Sequence, residues 1–524
     1  MDPRRALRAA RGHPLLYGAI AVALALRVTF WIVTDRVWED ALITLAPAHN
    51  AVRGLGLTHH PGEGHVYSFT SALSVLVPLV GEAVRQGTGL IALRVASLVA
   101  AVLACVYGYL IARRAGLGSW PTGFLLAYLA IDWNQVYFGM AGMETQMAVA
   151  IILALAYHLM AATKWATGAL LGLALLARPD FILIVVPAVI YLGFQGVRGA
   201  VREVGVGALV LAPWLAFTYL YYGSVVPNTI GAKAARYVAI PPLHGLNLGP
   251  QLTWLAQTAP QNIQSTLEQF MPFYEEGSVV GAPVPYRLAA ISAVLLVLLA
   301  VIGARRKLRS GAWVVVLAYV VLFLGYRVLF LPPKYYTWYI PPFTAMVALL
   351  VAAGLDALRR RFPLLQPAFV AVLVLPLAAA FVPLTVLTAR VQHQVEERVR
   401  MQAGLYLRSH VAPGEAVVSE SAGYIGYYSG AKLYDYPGLT SPTAVRALAS
   451  VPQQQRSLIY LVADLRAPWV VLRPFELDDL LRQYPGVYRE YHVEATFQAN
   501  VDLESAGVQF TSIDEDFLVL RRGD

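Results

Sequence analysis

Asp35, Glu39 and Asp40 stand close together in the stretch DRVWEDALITLAPAHN, directly after an apolar run that ends near Val33. Charged groups beside hydrocarbon are rare unless they are paired, solvated or put to use. A carboxylate placed there can take the proton from a hydroxyl, although Glu39 and Asp40 also suit a plain solvated helix end. Further on, YFGMAGMETQ sets Glu144 at the start of another apolar run, and LLARPDF sets Arg178 and Asp180 between two such runs. YYGSVVPNTIGAKAARY supplies Asn228, Thr229 and Lys233, and GYRVLFLPPKYYTWY adds Arg327, Lys334, Tyr335 and Tyr336. Each has an ordinary reading as well. Glu144 suits compensation of a helix dipole, Arg178 and Asp180 can simply pair with each other, and the cations and rings fit snorkelling anchors and an aromatic belt. Taken together, they are the parts needed to move a sugar from a lipid phosphate. A carboxylate activates the acceptor hydroxyl, cations stabilise the departing phosphate, and aromatic faces suit a sugar ring and a lipid tail.

These side chains must be held by membrane-spanning helices. The chain has 524 residues, of which 58% are hydrophobic and 14% charged, a balance foreign to soluble domains. Several windows stay apolar for nearly the ~20 residues that cross ~30 Å of hydrocarbon. The first, 14–34, is longer than the apolar part of a signal peptide and no small-residue cleavage site follows it, so it is expected to be a retained anchor. The single cysteine, Cys105, lies inside an apolar run, which rules out a disulfide framework. The net charge of +9 is concentrated in short clusters beside apolar runs, among them Arg113 and Arg114, Arg198 and Arg202, and Arg305, Arg306 and Lys307. Such clusters set topology and touch anionic lipid, so the charge points to membrane lipids and not to nucleic acid.

If the clusters all face the cytoplasm, an even number of crossings separates each from the next. The run 71–84 is short and interrupted by Pro78, so it reads as an interfacial or re-entrant helix. Crossings are then expected at 14–34, 91–112, 119–138, 146–162, 165–178, 181–195, 204–221, 287–304, 312–331, 339–358 and 367–389, about eleven transmembrane helices in all. The N-terminus falls in the cytoplasm. The loops 35–90, 134–145 and 222–286, the turn at 178–180 and the C-terminal tail fall outside it. Residues 1–390 therefore read as a catalytic transmembrane domain of a plasma or inner membrane protein. Residues 391–524 have soluble composition and read as a small extracytoplasmic α/β domain, with EAVVSE and PWVVLRP as buried strands, LDDLLRQY as a helix, and YREYHVEATF and DFLVLRR as closing strands.

The loop HHPGEGH carries His59, His60, Glu63 and His65 without helical or hairpin ligand spacing. It is expected to be a polar loop over the cavity. No metal or other cofactor is expected, with a divalent cation left as the alternative. There is no phosphate-cradling Walker loop, dinucleotide fingerprint or nucleophile elbow.

In this order the residues resemble the GT-C superfamily of polyprenyl-phosphate-dependent glycosyltransferases. The resemblance rests on the acidic motif WEDALIT in the first outer loop, the interfacial helix, and LRVASLVAAVLACVYGYLIARR with its outer arginine and cytoplasmic basic end. HPGE, GMET, ARPD, YYGSVVPNTIGAK and SAGYIGYYSGAKLYDYPGLTSP follow in an order similar to a bacterial branch that includes the AftB-type arabinofuranosyltransferases. The resemblance implies that Asp40 is the base of an inverting transfer with Glu39 beside it, that Glu144 lines the same cavity, and that Asn228, Thr229 and Lys233 lie near the donor. Gly64 and Tyr67 stand where relatives tend to carry a basic and then an acidic residue, a departure that leaves the sugar open, and Tyr67 is expected to line the cavity. The implied reaction moves a monosaccharide, arabinofuranose in that branch, from polyprenyl phosphate to an extracytoplasmic glycan or glycolipid. Transfer of mannose or glucose, or a non-catalytic lipid-linked sugar flippase, are the alternatives. A transporter should show two repeated halves with broken helices at matching positions, and the sequence shows none.

Overall fold

The computed structural model describes residues 14–237, 249–268, 286–308, 311–330, 336–359, 361–499 and 515–523. Its N-terminal part is helical throughout, because apolar segments in lipid must close their backbone hydrogen bonds internally. In order come α1 (Pro14–Thr34), α2 (Glu39–Val52), α3 (Leu73–Val84), α4 (Gly89–Arg114), α5 (Ser119–Ile131), α6 (Trp133–Met140), α7 (Thr145–Ala161) and α8 (Lys164–Ala177). Then follow α9 (Ile182–Gln195), α10 (Val197–Tyr222), α11 (Asn228–Tyr237), α12 (Gly249–Glu268), α13 (Tyr286–Lys307), α14 (Trp313–Phe330), α15 (Ile340–Leu358) and α16 (Gln366–Val391). Among the described residues the expected crossings fall largely on helix. Among the described residues six helical stretches are long and apolar enough to cross a membrane by length and composition, and the chain is a multi-pass membrane protein. The 12-residue α3 would rise only ~18 Å, too little to span the hydrocarbon.

Helices pack in lipid by close contact of small residues more than by a hydrophobic drive. Gly303 of α13 and Gly354 of α15 show this, since a Cβ on Gly303 would overlap the Leu350 carbonyl and one on Gly354 the Leu299 carbonyl. Gly354→Val is therefore expected to cost roughly 1–3 kcal/mol through overpacking against backbone. Thermal unfolding in detergent checks this, with Gly18→Ala, which meets nothing within 4 Å, as the silent control.

One expectation needs correction, and one boundary lies within continuous helix. The run 119–138 is not one continuous helix: Asp132 leaves helical geometry (φ −49°, ψ 117°), and its carboxylate accepts from the Gln135 amide at 3.1 Å to start α6. The expected outer loop 134–145 is thus mostly helix. The carbonyls stranded at the end of α5 are met by the fully buried Arg27, which donates to Ala130 O at 3.0 Å and to Gln146 Oε1 at 2.7 Å. The expected boundary near 391 also falls inside an unbroken helical path. From α16 the chain runs through a π-helical segment, Gln392–Met401, straight into α17 (Gln402–His410).

Beyond α17 lie β1 (Ala416–Ser419), α18 (Tyr424–Ser429), β2 (Lys432–Asp435), α19 (Pro442–Ala449), α20 (Leu458–Leu465), β3 (Trp469–Leu472), α21 (Pro474–Gln483), β4 (Tyr491–Gln498) and β5 (Asp516–Arg522). They form one sheet of order β2-β1-β3-β5-β4, with β1 parallel to β2 and β3 and with β5 antiparallel to β3 and β4. Both faces are covered, which explains why the central strands read as unbroken apolar runs. Val418, Val470 and Leu472 pack beneath α19 and α20. Val417, Trp469 and Val471 pack on the other face, where Ile43 of α2 joins the same core.

Candidate functional site

The three acidic residues of the opening stretch serve three different places. Asp35 takes Arg94 at 2.5 Å, and Arg94 also donates to the carbonyls of Met140 and Arg36, which fixes the loop between α1 and α2 to α4 and α6. Trp38 is extended, with its amide on Ala141 O at 2.9 Å, and its ring meets Tyr137, Phe138 and Trp338 edge-on. Helix α2 then begins with Glu39 and Asp40. Successive positions on a helix do not share a face, so the two carboxylates diverge.

Glu39 turns to the C-terminal unit and away from Asp40. It accepts from the amides of Gly423 at 2.6 Å and Tyr424 at 3.2 Å and from the Ser421 hydroxyl at 3.0 Å, with Arg400 at 3.5 Å. Burial pushes its carboxyl up to about 7, against the opposing pull of Arg400. It is not among the residues that line the cavity described next, so the expected side-by-side carboxylate pair is not formed.

Asp40 faces an open cavity together with Ser68, Thr70, Met143, Glu144, Thr229, Lys233, Trp338 and Leu439. Its Oδ2 stands 3.6 Å from Lys233 Nζ, with the two side chains 25% and 20% exposed, so both remain within reach of a ligand. Lys233 also lies 4.7 Å above the Tyr336 ring and 5.5 Å from the Trp338 ring, which leaves the ammonium on an aromatic shelf. The Thr229 hydroxyl is buried in the cavity wall. Burial raises the Glu144 carboxyl above its usual range while Arg178, 3.5 Å away, opposes the rise.

Arg178 and Asp180 pair with each other at 3.0 Å, as one reading of the sequence had it. Arg178 further donates to the Trp338 carbonyl at 3.0 Å and stacks on Tyr339 at 3.8 Å, so the pair supports Glu144 and Trp338 from behind the wall. Asn228 serves as a clamp: its side-chain amide donates to the carbonyls of Gly438 at 2.7 Å and Leu439 at 3.1 Å. Arg327 is buried on α14, donates to Ser265 Oγ at 2.8 Å, and does not line the cavity. Lys334 and Tyr335 lie outside the described residues. Tyr336 is present under Lys233 in a left-handed conformation, φ 58°.

The HHPGEGH loop does not lid this cavity. Gly426 packs on the buried His59 ring, and burial, then the neighbouring His60, hold that imidazole down at about 4. His60 Nδ1 accepts from the Gly62 amide at 2.9 Å, and His65 stacks on Tyr221. Glu63 binds Lys432 at 3.2 Å and Ser441 at 2.9 Å, so the loop ties the helical part to the sheet domain. Tyr67 accepts from Trp214 and stacks on Tyr222, also off the cavity wall. Among the described residues no three His, Cys, Asp or Glu side chains gather as metal ligands.

Ser68, Thr70 and Ser74 of the cavity wall were not singled out by sequence, although YSFTSALS is unusually rich in hydroxyls for a segment leading into an apolar helix. Trp338 and Leu439 carried no comparable signal.

The same architecture occurs in solved structures, whose likeness defines the class of fold. ArnT from Cupriavidus metallidurans bound to undecaprenyl phosphate aligns with a TM-score of 0.55 at 12% identity, over 96% of this chain and 97% of that one. Its apo state aligns with a TM-score of 0.57 at 11% identity, over 98% of each chain. The archaeal oligosaccharyltransferase AglB from Archaeoglobus fulgidus, in complex with an inhibitory peptide and a dolichol-phosphate, gives 0.53 at 14% identity, over 87% of this chain and 69% of that one. The protein therefore shares the polytopic helical fold of these structures, with a small C-terminal α/β unit. Residues 389–514 match a family described as a domain of unknown function, DUF8728. No curated protein matches the chain in sequence.

Proposed function

We propose that the protein is a glycosyltransferase that moves a monosaccharide from a polyprenyl-phosphate donor to an extracytoplasmic glycan or glycolipid, with inversion at the anomeric carbon. The observation that carries this reading is the Asp40–Lys233 pair, which sets a base and a phosphate-binding cation in one cavity walled by aromatic rings, hydroxyls and Glu144. Asp40 takes the proton of the acceptor hydroxyl as its oxygen attacks the anomeric carbon. The bond from that carbon to the phosphate oxygen breaks on the opposite face, and polyprenyl phosphate leaves without a general acid. Lys233 leaves Asp40 for the phosphate, and Thr229 lies beside it in the wall. Glu144, supported by Arg178 and Asp180, and the hydroxyls of Ser68 and Thr70 orient the sugar. Arabinofuranose is the sugar favoured by the order of motifs. The lipid-bound state of ArnT supports a polyprenyl-phosphate donor for this shared fold. The N-terminus is assigned to the cytoplasm of a plasma or inner membrane, and the cavity and sheet domain to the opposite side.

The test is turnover by the purified protein of polyprenyl-phosphate-linked arabinofuranose, mannose and glucose. Release of free polyprenyl phosphate from one of them is expected, whereas a flippase would return every donor intact. Lys233→Met is expected to raise the donor KM and lower kcat, together on the order of 10²-fold in kcat/KM, as loss of a preorganised charge at the leaving group does. Because an ammonium already supplies that charge, chelation with EDTA is expected to leave the rate within about twofold. A loss that Mg²⁺ restores would instead assign the phosphate to a divalent cation.

A further inference from the structure

A second cavity is built from residues that neighbour, along the chain, those of the Asp40 cavity wall. It is lined by Ala232 of α11, by Tyr436 and Pro437 of the turn after β2, by Val445 and Leu448 of α19, and by Arg456 beyond it. The two cavities share a partition. Ala232 immediately precedes Lys233, and Leu439, which faces Asp40's cavity, closely follows Pro437. Asn228 joins the two halves of that partition through the carbonyls of Gly438 and Leu439. Gly438, at φ +95°, sits so near Val445 that a Cβ would meet its Cγ2 at 2.6 Å, so the turn is thin and firmly seated. The Tyr436 hydroxyl donates to the Arg456 carbonyl at 2.8 Å, which fixes the ring in the wall.

We infer that this second cavity is a binding subsite for a sugar residue of the acceptor, distant along the chain from the hydroxyl that is glycosylated. The inference rests on the glycosyl transfer proposed above. The Tyr436 ring, Pro437 and the aliphatic side chains suit the C–H face of a sugar, and Arg456, whose Nε donates to the Val451 carbonyl at 3.2 Å, borders it. All of the lining except Ala232 belongs to the sheet domain, so a polyprenyl tail, which stays with the apolar helices, does not fit this place. A glycan threaded past Leu439 would occupy both cavities at once. That gives the sheet domain a role in choosing the acceptor.

Ala449 also lines the cavity and is itself exposed, so a large side chain there fills the space without entering the core. Full-length wild type and Ala449→Trp in nanodiscs are compared for binding of methyl-capped trisaccharides of arabinofuranose, mannose and glucose by saturation-transfer NMR. At least one trisaccharide is expected to bind wild type with saturation and to bind Ala449→Trp at least tenfold more weakly. Gln453→Ala, at another residue of the lining, keeps the space and removes an amide, and is expected to fall between them. Absence of binding to wild type, or equal binding to all three proteins, overturns the subsite. Donor turnover by the same samples is read separately: intact turnover with unchanged trisaccharide binding sinks this inference alone, and no turnover of any donor sinks the reaction.

Discussion

Asp40→Asn lowers sugar transfer by roughly 10²–10⁴-fold, the range for loss of a positioned general base. The substitution keeps the shape of the side chain and removes its proton affinity. It also removes the charge that holds Lys233 at 3.6 Å, so the ammonium is freed for the phosphate and donor affinity does not fall. Single-turnover rates and donor titrations separate these effects. A large drop in rate at unchanged or tighter donor binding identifies the base, and undiminished turnover removes Asp40 from that role. Glu39→Gln should behave differently. Glu39 meets the amides of Gly423 and Tyr424 and not the cavity, and Gln keeps an oxygen to accept from them, so most of the rate should survive.

Gly423→Ala is the second large effect. A Cβ at that position would overlap the Glu39 carbonyl and approach Glu39 Cδ to 2.9 Å. The first of these is backbone, which no rotamer change relieves. Either α2 or the segment before α18 must shift, and Asp40 is the next residue along α2. Misplacing a reacting group by about 1 Å can cost on the order of 10²-fold in rate, and that is the expected loss here. The substitution is expected to act chiefly on kcat, because Lys233 and the aromatic shelf belong to other elements. Gly486→Ala, with nothing within 4 Å, is the matched control and should leave the rate unchanged. Equal rates for the two variants would show that the sheet domain does not position α2.

These two variants mark what the sequence makes legible. Long apolar runs and the charges between them are visible without a structure, because lipid imposes one backbone solution and charge sets the loops. Asp40 and Glu144 were legible in this way, each as a charge at the edge of an apolar run, and Lys233 as a cation of the outer segment after the run 204–221. The destinations of Glu39, Glu63 and Asn228 were not, because their partners Gly423, Lys432 and Gly438 lie far along the chain and no local pattern joins them. Arg178 and Asp180 were open to two readings. The fold uses them as a pair that supports the cavity wall. The break at Asp132 was hidden for a related reason. Apolar periodicity continues through it, and only Arg27, brought across from α1, makes the stranded carbonyls tolerable. The change to soluble composition near 391 concealed the opposite, an unbroken helix from α16 to α17.

On this reading the cavity of Asp40 and Lys233 receives the head of a polyprenyl-phosphate sugar. This is tested most directly by a structure of the full-length protein with a polyprenyl-phosphonate sugar analogue bound. The phosphonate is expected on Lys233 near Thr229, the sugar between Trp338 and the Ser68–Thr70 hydroxyls, and Asp40 on the face of the anomeric carbon opposite the phosphonate. A headgroup bound elsewhere, with Lys233 still paired to Asp40, would contradict it.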